Sequence, residues 1–433
     1  MREPVSQLGQ WMIAGEVRWR KNQQVRVLLT ALRLIFPLVL VGTLADLVNR
    51  SWLEPTGYYY QTLHVTTWLL RRTRLQQGVL LLQTGALGLA VLGMAFVVSY
   101  LLVARVTAAS SDRLMAGGIA VLGLQVLNVN PATVQVGRSP EWLAMNLGLT
   151  GLAVGAVVGL LIGNLYRWSV LHWSQPGDTL ERPLTLGTLG LLLVAAGGLI
   201  WLLRAPFSLQ TGFSAWLRAP LNLADGWGQL AVFSVLNGAL NWLGVLSPVP
   251  TTPEQSVMAA QNLAAVLTTG NWHLPHPLTV QTVSQPYANM GGTGMTLGLL
   301  VAILLVTQNT AQRRIGWLSV LPVMGNVNAP LLVGLPVILS PVLLVPLIVA
   351  PLACLSLSSL CLGLHWVPAS AYPFAVGTPG PLISFLGTGG AWSALGLALV
   401  NLALSTVIYY PFVKWAAIAE RQVHEEASAN ATL

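Results

Sequence analysis

The chain of 433 residues is 54% apolar and only 8% charged, against about 25% charged in an ordinary soluble domain, which excludes a water-facing surface around a soluble core. Its formal net charge of +8 does not read as a nucleic-acid footprint, because no basic cluster is interleaved with aromatics. The apolar residues are gathered into blocks that can cross a hydrocarbon layer of about 30 Å, which takes about 20 helical residues. The class expected is therefore an all-α, polytopic integral membrane protein.

From the N-terminus, Arg2, Arg18, Arg20, Lys21 and Arg26 precede the first span, which by the positive-inside tendency places that end in the cytoplasm. Residues 1–26 contain no cleavable signal peptide pattern. Val5, Leu8, Trp11 and Met12 recur at helical spacing beside the charges, so this leader is expected to lie on membrane lipid as an amphipathic helix.

Spans are expected over 27–49, 77–104, 112–128, 142–166, 183–203 and 228–247. Arg105 with Arg113, Arg167 with Arg182, Arg313 with Arg314 and Lys414 with Arg421 then fall on the cytoplasmic side. Arg50, Arg71, Arg72, Arg74, Arg138, Arg204 and Arg218 fall outside, although a dip by residues 58–70 would carry Arg71, Arg72 and Arg74 inward. Arg33 and Asp46 share the first span but lie about 20 Å apart along it, too far to pair within one helix. Snorkelling to opposite interfaces accounts for them more cheaply than a buried relay.

The second half differs in kind. From Gln255 to Val413 the only residues among Asp, Glu, Lys and Arg are Arg313 and Arg314, so no carboxylate relay for a coupling ion can be nominated. A small neutral solute suits such an interior. Pro248, Pro250, Pro253, the run Gly291-Gly292-Thr293-Gly294, and Pro322, Pro330, Pro336, Pro341, Pro346 and Pro351 interrupt the region more densely than continuous helices easily tolerate. Residues 254–290 and 320–350 accordingly read as two re-entrant hairpins lining a cavity.

Within the second, Asn326 and Asn328 stand before Pro330 at an apolar helix start. Each amide offers a donor and an acceptor, matching the dual character of a sugar hydroxyl; simple capping of the helix by Asn328 is the alternative. Cys354 and Cys361 would share one helix face in lipid-facing or packing roles. His273 and His276, three apart, lack a visible third ligand, and no CxxC, HExxH or Walker loop occurs. Neither a metal site nor a cofactor is expected.

These segments together resemble a known family. Asn326-Val327-Asn328-Ala329-Pro330 followed by Gly334-Leu335-Pro336 is similar to a family Asn-x-Asn-Glu-Pro element with its Gly-Leu-Pro, and TPGPLISFLGTGGAWSALGLALVNLALSTVIYYPF resembles the family's closing spans. Leu274-Pro275-His276, Gly291 to Gly294 and the early NQQVRVLLTALRLIFPLVLVGTLADLV add to the likeness. The family is the membrane-embedded IIC permease of the bacterial sugar phosphotransferase system, in its lactose/cellobiose/diacetylchitobiose branch.

The resemblance implies about ten transmembrane helices plus two re-entrant hairpins in a bacterial inner membrane, with both termini cytoplasmic. It implies a leader over 1–26, a dimerising scaffold over 27–225 that would make a homodimer, a transport half over 226–413 and a short tail over 414–433. The substrate implied is a neutral sugar, a β-linked disaccharide or related glycoside. Cytoplasmic IIB- and IIA-like phosphocarrier subunits, fed from phosphoenolpyruvate, would carry out the phosphoryl transfer, for which this chain has no site of its own. Asn326, Asn328, Gly291, Gly292, Gly294 and His276 would hold the sugar, with Thr388 and a stacking Trp392 as lesser candidates.

Three positions depart from the family pattern: its hairpin glutamate falls on Ala329, its sugar-facing histidine on Gly238 and a polar position on Ala391. Losing one carboxylate–hydroxyl contact removes about 1.5–3 kcal/mol, roughly 10- to 150-fold in affinity. The chain then either takes a different solute or serves as a non-transporting sensor or scaffold.

Overall fold

A computed structural model describes residues 7–128, 148–173, 181–204, 220–221, 226–246, 249–270 and 272–431. Among these residues the chain is helical throughout its regular structure, apart from one isolated bridge between Gly57 and Val376. Arg138, Arg218 and Pro248, together with residues 142–147 and 247 of the expected spans, lie outside the described residues.

Helix α1 (Gln7–Lys21) is the expected leader helix, but one side of it is docked on the protein. Gly9, Ile13, Glu16 and Arg20 are buried, whereas Leu8 and Trp11 are exposed. Asn22 then ends one helix and starts another, its side chain accepting from the backbone NH of Gln24 at 2.9 Å. Helix α2 (Gln23–Val48) continues into a π-helical turn, Asn49–Leu53. Two short helical turns, Tyr58–Thr62 and Val65–Trp68, occupy the stretch read as an optional dip.

Helices α3 (Arg72–Val103), α4 (Ser110–Leu127), α5 (Gly151–Trp173) and α6 (Glu181–Arg204) complete the first half. Close approach here rests on glycine. A Cβ on Gly155, Gly159 or Gly163 would come within 2.8 Å of Val91 O, 2.7 Å of Ala95 O and 2.9 Å of the Leu102 side chain respectively. This small-residue stripe at every fourth position of α5 lets two apolar helices touch along their backbones. Because the paired residues ascend together, α5 runs parallel to α3. Gly42 faces Leu87 and Gly93 faces Ile35, so α2 runs antiparallel to α3.

The second half comprises α7 (Gly226–Trp242), α8 (Pro253–Thr269), a π-helical segment Val280–Ala288, α9 (Thr296–Val306), α10 (Thr310–Leu318), α11 (Val320–Met324), α12 (Ala329–Gly334), α13 (Pro341–Gly363), α14 (Gly380–Gly387) and α15 (Trp392–Ala431). The interruption expected from proline holds only in part. Residues 320–334 do form two short helices, but 341–350 belong to α13, which runs through Pro346 and Pro351 without a break. Its buried face, including Val342, Leu347, Ala350 and Cys354, is packed on all sides, and that packing outweighs the two lost backbone bonds. Both cysteines take packing positions in this core.

Helix α15 likewise passes through Pro411 and continues beyond Val413 to Ala431, so the segment after Lys414 is a helical extension. Among the described residues, five helices are long and apolar enough to cross a membrane: Gln23–Leu53, Arg72–Val103, Gly151–His172, Pro341–Gly363 and Trp392–Val423.

The ionic residues of the first span do more than snorkel. Arg33 pairs with Glu420 of α15 at 2.7 Å, and Asp46 accepts from Arg50 and from Gln83 of α3, each at 2.7 Å. Both are satisfied across the fold, where the sequence allowed only a separation within one helix.

Candidate functional site

The run Gly291 to Gly294 folds as a tight loop between the π-helical segment and α9. Gly292, at φ 105°, adopts a conformation that L side chains rarely take and that glycine enters without steric cost. A Cβ there would lie 3.1 Å from Asn328 Cγ, so the bare backbone also admits the α11–α12 turn. Only a glycine suits both demands.

That turn supplies the two asparagines. Asn326 Oδ1 accepts from Gly291 N at 2.8 Å while its Nδ2 donates to Thr378 O at 3.0 Å, which tethers the glycine loop to the segment leading into α14. Asn328 Nδ2 donates to Thr293 O at 3.1 Å. Its side chain makes no capping bond to α12, which decides against the capping alternative. Asn328 Oδ1 takes no hydrogen bond from the described residues and remains an open acceptor at the loop.

Three further residues converge here without having been singled out in the sequence. Asn241 of α7 donates from Nδ2 to Thr293 O at 3.0 Å and to Thr293 Oγ1 at 2.7 Å. Tyr409 of α15, fully buried, donates to Gly294 O. Thr378 closes the other side through its carbonyl. The one available signal was the Asn237/Asn241 pair, one turn apart on an apolar helix, with Asn237 Oδ1 accepting from Val249 N at 2.9 Å. The site is thus made of amides, hydroxyls and backbone, with no charged side chain among the residues named.

The other candidates lie apart from this cluster. His276 Nε2 meets Gln261 Oε1 at 2.7 Å, and its backbone exchanges bonds of 2.7 and 2.9 Å with Asn262, so it anchors the loop after α8. The His273 ring lies tilted against that of His365 at a centroid distance of 5.2 Å. Thr388 donates back to Ser384 O at 2.8 Å. Trp392 leans on Phe385 at 5.1 Å and is 75% exposed. With Trp272, which lies 5.6 Å from the Tyr372 ring and against Gly389, these aromatics form a second group at the far end of α14. No hydrogen bond or ring contact joins His276, Thr388 or Trp392 to the asparagines.

Two of the three substituted positions are closed. A Cβ on Gly238 would lie 2.9 Å from Leu347 O, because α7 and α13 approach backbone to backbone there. Ala329 is fully buried in the first turn of α12. Ala391 is partly buried against the main core.

Residues 79–351 match the family model described as phosphotransferase system, EIIC. The lactose-specific EIICB component of the phosphotransferase system of Lacticaseibacillus casei is 26% identical over 298 residues, covering 65% of this chain and 51% of that protein. The lichenan permease IIC component of Bacillus subtilis (strain 168) is 27% identical over 289 residues, 62% of each chain. The cellobiose-specific EIIC component of Lactococcus lactis subsp. lactis (strain IL1403) is 36% identical over 129 residues, 29% of this chain and 26% of that one. The matched stretch thus spans about half to under two thirds of the first two relatives' own length. Among solved structures, the transporter ChbC, the IIC component of the N,N'-diacetylchitobiose-specific phosphotransferase system, shares 21% identity at a TM-score of 0.44, over 97% of this chain and 99% of that one.

Proposed function

The chain belongs to the phosphotransferase system EIIC family and is a multi-pass membrane protein, and from that premise we propose that it is the sugar-translocating subunit of such a system. The observation that carries the proposal is the convergence of Asn241, Asn326 and Asn328 on the Gly291 to Gly294 loop inside an uncharged half-molecule. Neutral amides and backbone groups bind hydroxyls and give a coupling ion no charged partner. The solute is a neutral sugar; relatives named for lactose, cellobiose and lichenan favour a β-linked disaccharide or related glycoside.

Residues 27–225 form the scaffold, which pairs as a homodimer, and 226–413 form the transport half. Residues 254–290 and 320–334 act as re-entrant hairpins, bringing the total to about ten spans. Both termini face the cytoplasm, where IIB- and IIA-like subunits phosphorylate the arriving sugar. Asn328 Oδ1 accepts from a sugar hydroxyl, while Asn326 and the glycine loop hold the shape around it. Thr388 and Trp392, at the other end of α14, and His276, in the loop after α8, contribute to the path the sugar takes rather than to the amide contact. With Gly238 and Ala329 closed, recognition rests on fewer polar contacts than the family pattern provides, which alters the choice of sugar.

The test is binding of a panel of mono- and disaccharides to the purified protein, read by thermal shift, followed by sugar-dependent phosphate transfer with partner subunits. Asn328→Ala is expected to weaken the bound sugar by about 1.5 kcal/mol, roughly tenfold. A flat panel on folded protein, with uptake of every sugar unchanged in a strain lacking the gene, would move the assignment to a sensor or scaffold role.

A further inference from the structure

One end of the first half carries three arginines from three separate elements, and helix register brings them together. Because α2 is antiparallel to α3, with Gly42 opposite Leu87 and Gly93 opposite Ile35, Arg26 stands level with the last residues of α3. Arg105 follows two residues after that helix ends at Val103. Because α5 is parallel to α3 and Gly163 touches Ser99 and Leu102, Arg167, one turn further, reaches the same level. A direct bond confirms the convergence: Arg167 Nη1 donates to Gln23 Oε1 at 3.2 Å, and Gln23 lies one turn before Arg26 on α2.

The turn that carries Arg105 is held in place. Arg113 donates to Thr107 O from Nε at 3.0 Å and from Nη2 at 2.9 Å. The buried Asp112 accepts from Thr107 Oγ1 at 3.2 Å and from Tyr166 Oη at 3.1 Å, so the carboxylate beside Arg113 engages hydroxyls on two elements. Arg20, Lys21, Arg33 and Arg50 each have an acidic partner. None of Arg26, Arg105 and Arg167 meets a carboxylate among the described residues. Partial burial, and then the charges of Arg26 and Arg167, depress the basicity of Arg105. Three mutually repelling guanidiniums are left for an anion to neutralise.

We propose that Arg26, Arg105 and Arg167 form a binding site for the phosphodiester headgroup of an anionic membrane lipid. A lipid fits better than a soluble anion because the cluster caps helices long and apolar enough to cross a bilayer, and because its surroundings suit the rest of the molecule. Trp168, beside Arg167, is exposed at the level where aromatic residues mark the headgroup region. Leu161 and Leu165 continue the same outward stripe of α5 toward the middle of the helix, where an acyl chain would lie. Basic pockets between transmembrane helices bind such headgroups, each cation near the surface adding to the attraction.

The experiment uses the full chain in detergent, with phosphatidylglycerol, phosphatidylcholine and inorganic phosphate as probes, read by native mass spectrometry and thermal shift. Phosphatidylglycerol is expected to remain bound and to raise the melting temperature, whereas phosphatidylcholine does neither. In R26Q/R105Q/R167Q its affinity should fall roughly a hundredfold, while R71Q/R72Q/R74Q, which neutralises a different basic cluster, should retain it within about twofold. Should the triple variant fail to fold, R105Q alone removes a side chain from an exposed turn and should cost about fivefold. Equal phosphatidylglycerol binding by the cluster variants and the parent would overturn the site. Displacement of the lipid by millimolar inorganic phosphate, with the same stabilisation, would overturn the lipid assignment in favour of a soluble anion.

Discussion

At Gly238 the distance to Leu347 O leaves no room for any side chain. Installing the family's histidine there would drive α7 away from α13, and Gly238→His is expected to destabilise by about 1–3 kcal/mol as an overpacked contact, seen as a lowered melting temperature with no gain in sugar binding. A Gly238→His variant that melts normally and binds sugar more tightly would show that the position is open to the site. Asn241 makes the complementary case. Its two bonds to Thr293 hold the loop that Asn328 also grips, so Asn241→Ala should cost about 1–3 kcal/mol for a buried group left unsatisfied. The cheapest check is the melting temperature beside that of Asn328→Ala. Asn326, Asn328 and the glycines were legible because unusual residues cluster in a short stretch. Thr378 and Tyr409 were not, since each reaches the loop from an element distant in sequence with nothing local to mark it, and for Asn241 the one-turn spacing from Asn237 was the sole sign.

Helix α1 shows how a charge pattern can describe an element correctly and place it incompletely. The alternation of apolar and basic residues identifies an amphipathic helix, yet Glu16 is its most deeply buried polar residue. Glu16 accepts from Arg20 Nε at 2.6 Å, from Ser340 Oγ at 2.9 Å and from Val342 N at 3.1 Å. Its carboxylate therefore sits on the free backbone NH groups at the start of α13, where helix polarity favours negative charge. Trp19 adds a ring contact at 6.5 Å to Trp242, whose Nε1 donates to Ser340 O at 2.8 Å. Breaking a buried pair by removing one partner costs about 3–5 kcal/mol, so Glu16→Ala should release α1. Hydrogen exchange over residues 7–21 and 336–343 would report it, and unchanged protection in both segments would refute the docking. Helix α13 was misread for the converse reason. Proline density is a local penalty, and burial along Val342, Leu347, Ala350 and Cys354 is a tertiary gain that no local pattern displays.

Across the described residues, the two halves meet at both apolar and polar points besides the docking of α1. Gly334 of α12 lies against Phe36 of α2, the backbone of residues 56–58 exchanges bonds with Val376 at 3.0 and 3.2 Å, and Arg33 reaches Glu420, which also accepts from Gln312. The sudden loss of charge after Gln255 is plain in the sequence; the contacts joining the two stretches are not, because Arg33 and Glu420 lie almost the full chain length apart. The Arg33–Glu420 pair is a clasp between α2 and α15, which in the proposed division belong to the scaffold and to the helix closing the transport half. Arg33 is 45% exposed, so solvent screens the pair and its contribution to stability is about 0.2–1 kcal/mol. A clasp this weak is suited to being broken and remade as one half shifts against the other. Arg33→Gln is therefore expected to leave the melting temperature within about 2 °C and the apparent sugar affinity unchanged, while altering the maximal rate of uptake. The swapped pair, Arg33→Glu with Glu420→Arg, should bring the rate back toward the parental value. A rate that is unchanged in the single variant would mean that the halves do not part at this point, and a loss of affinity without a change in rate would place the pair's influence in the binding site instead.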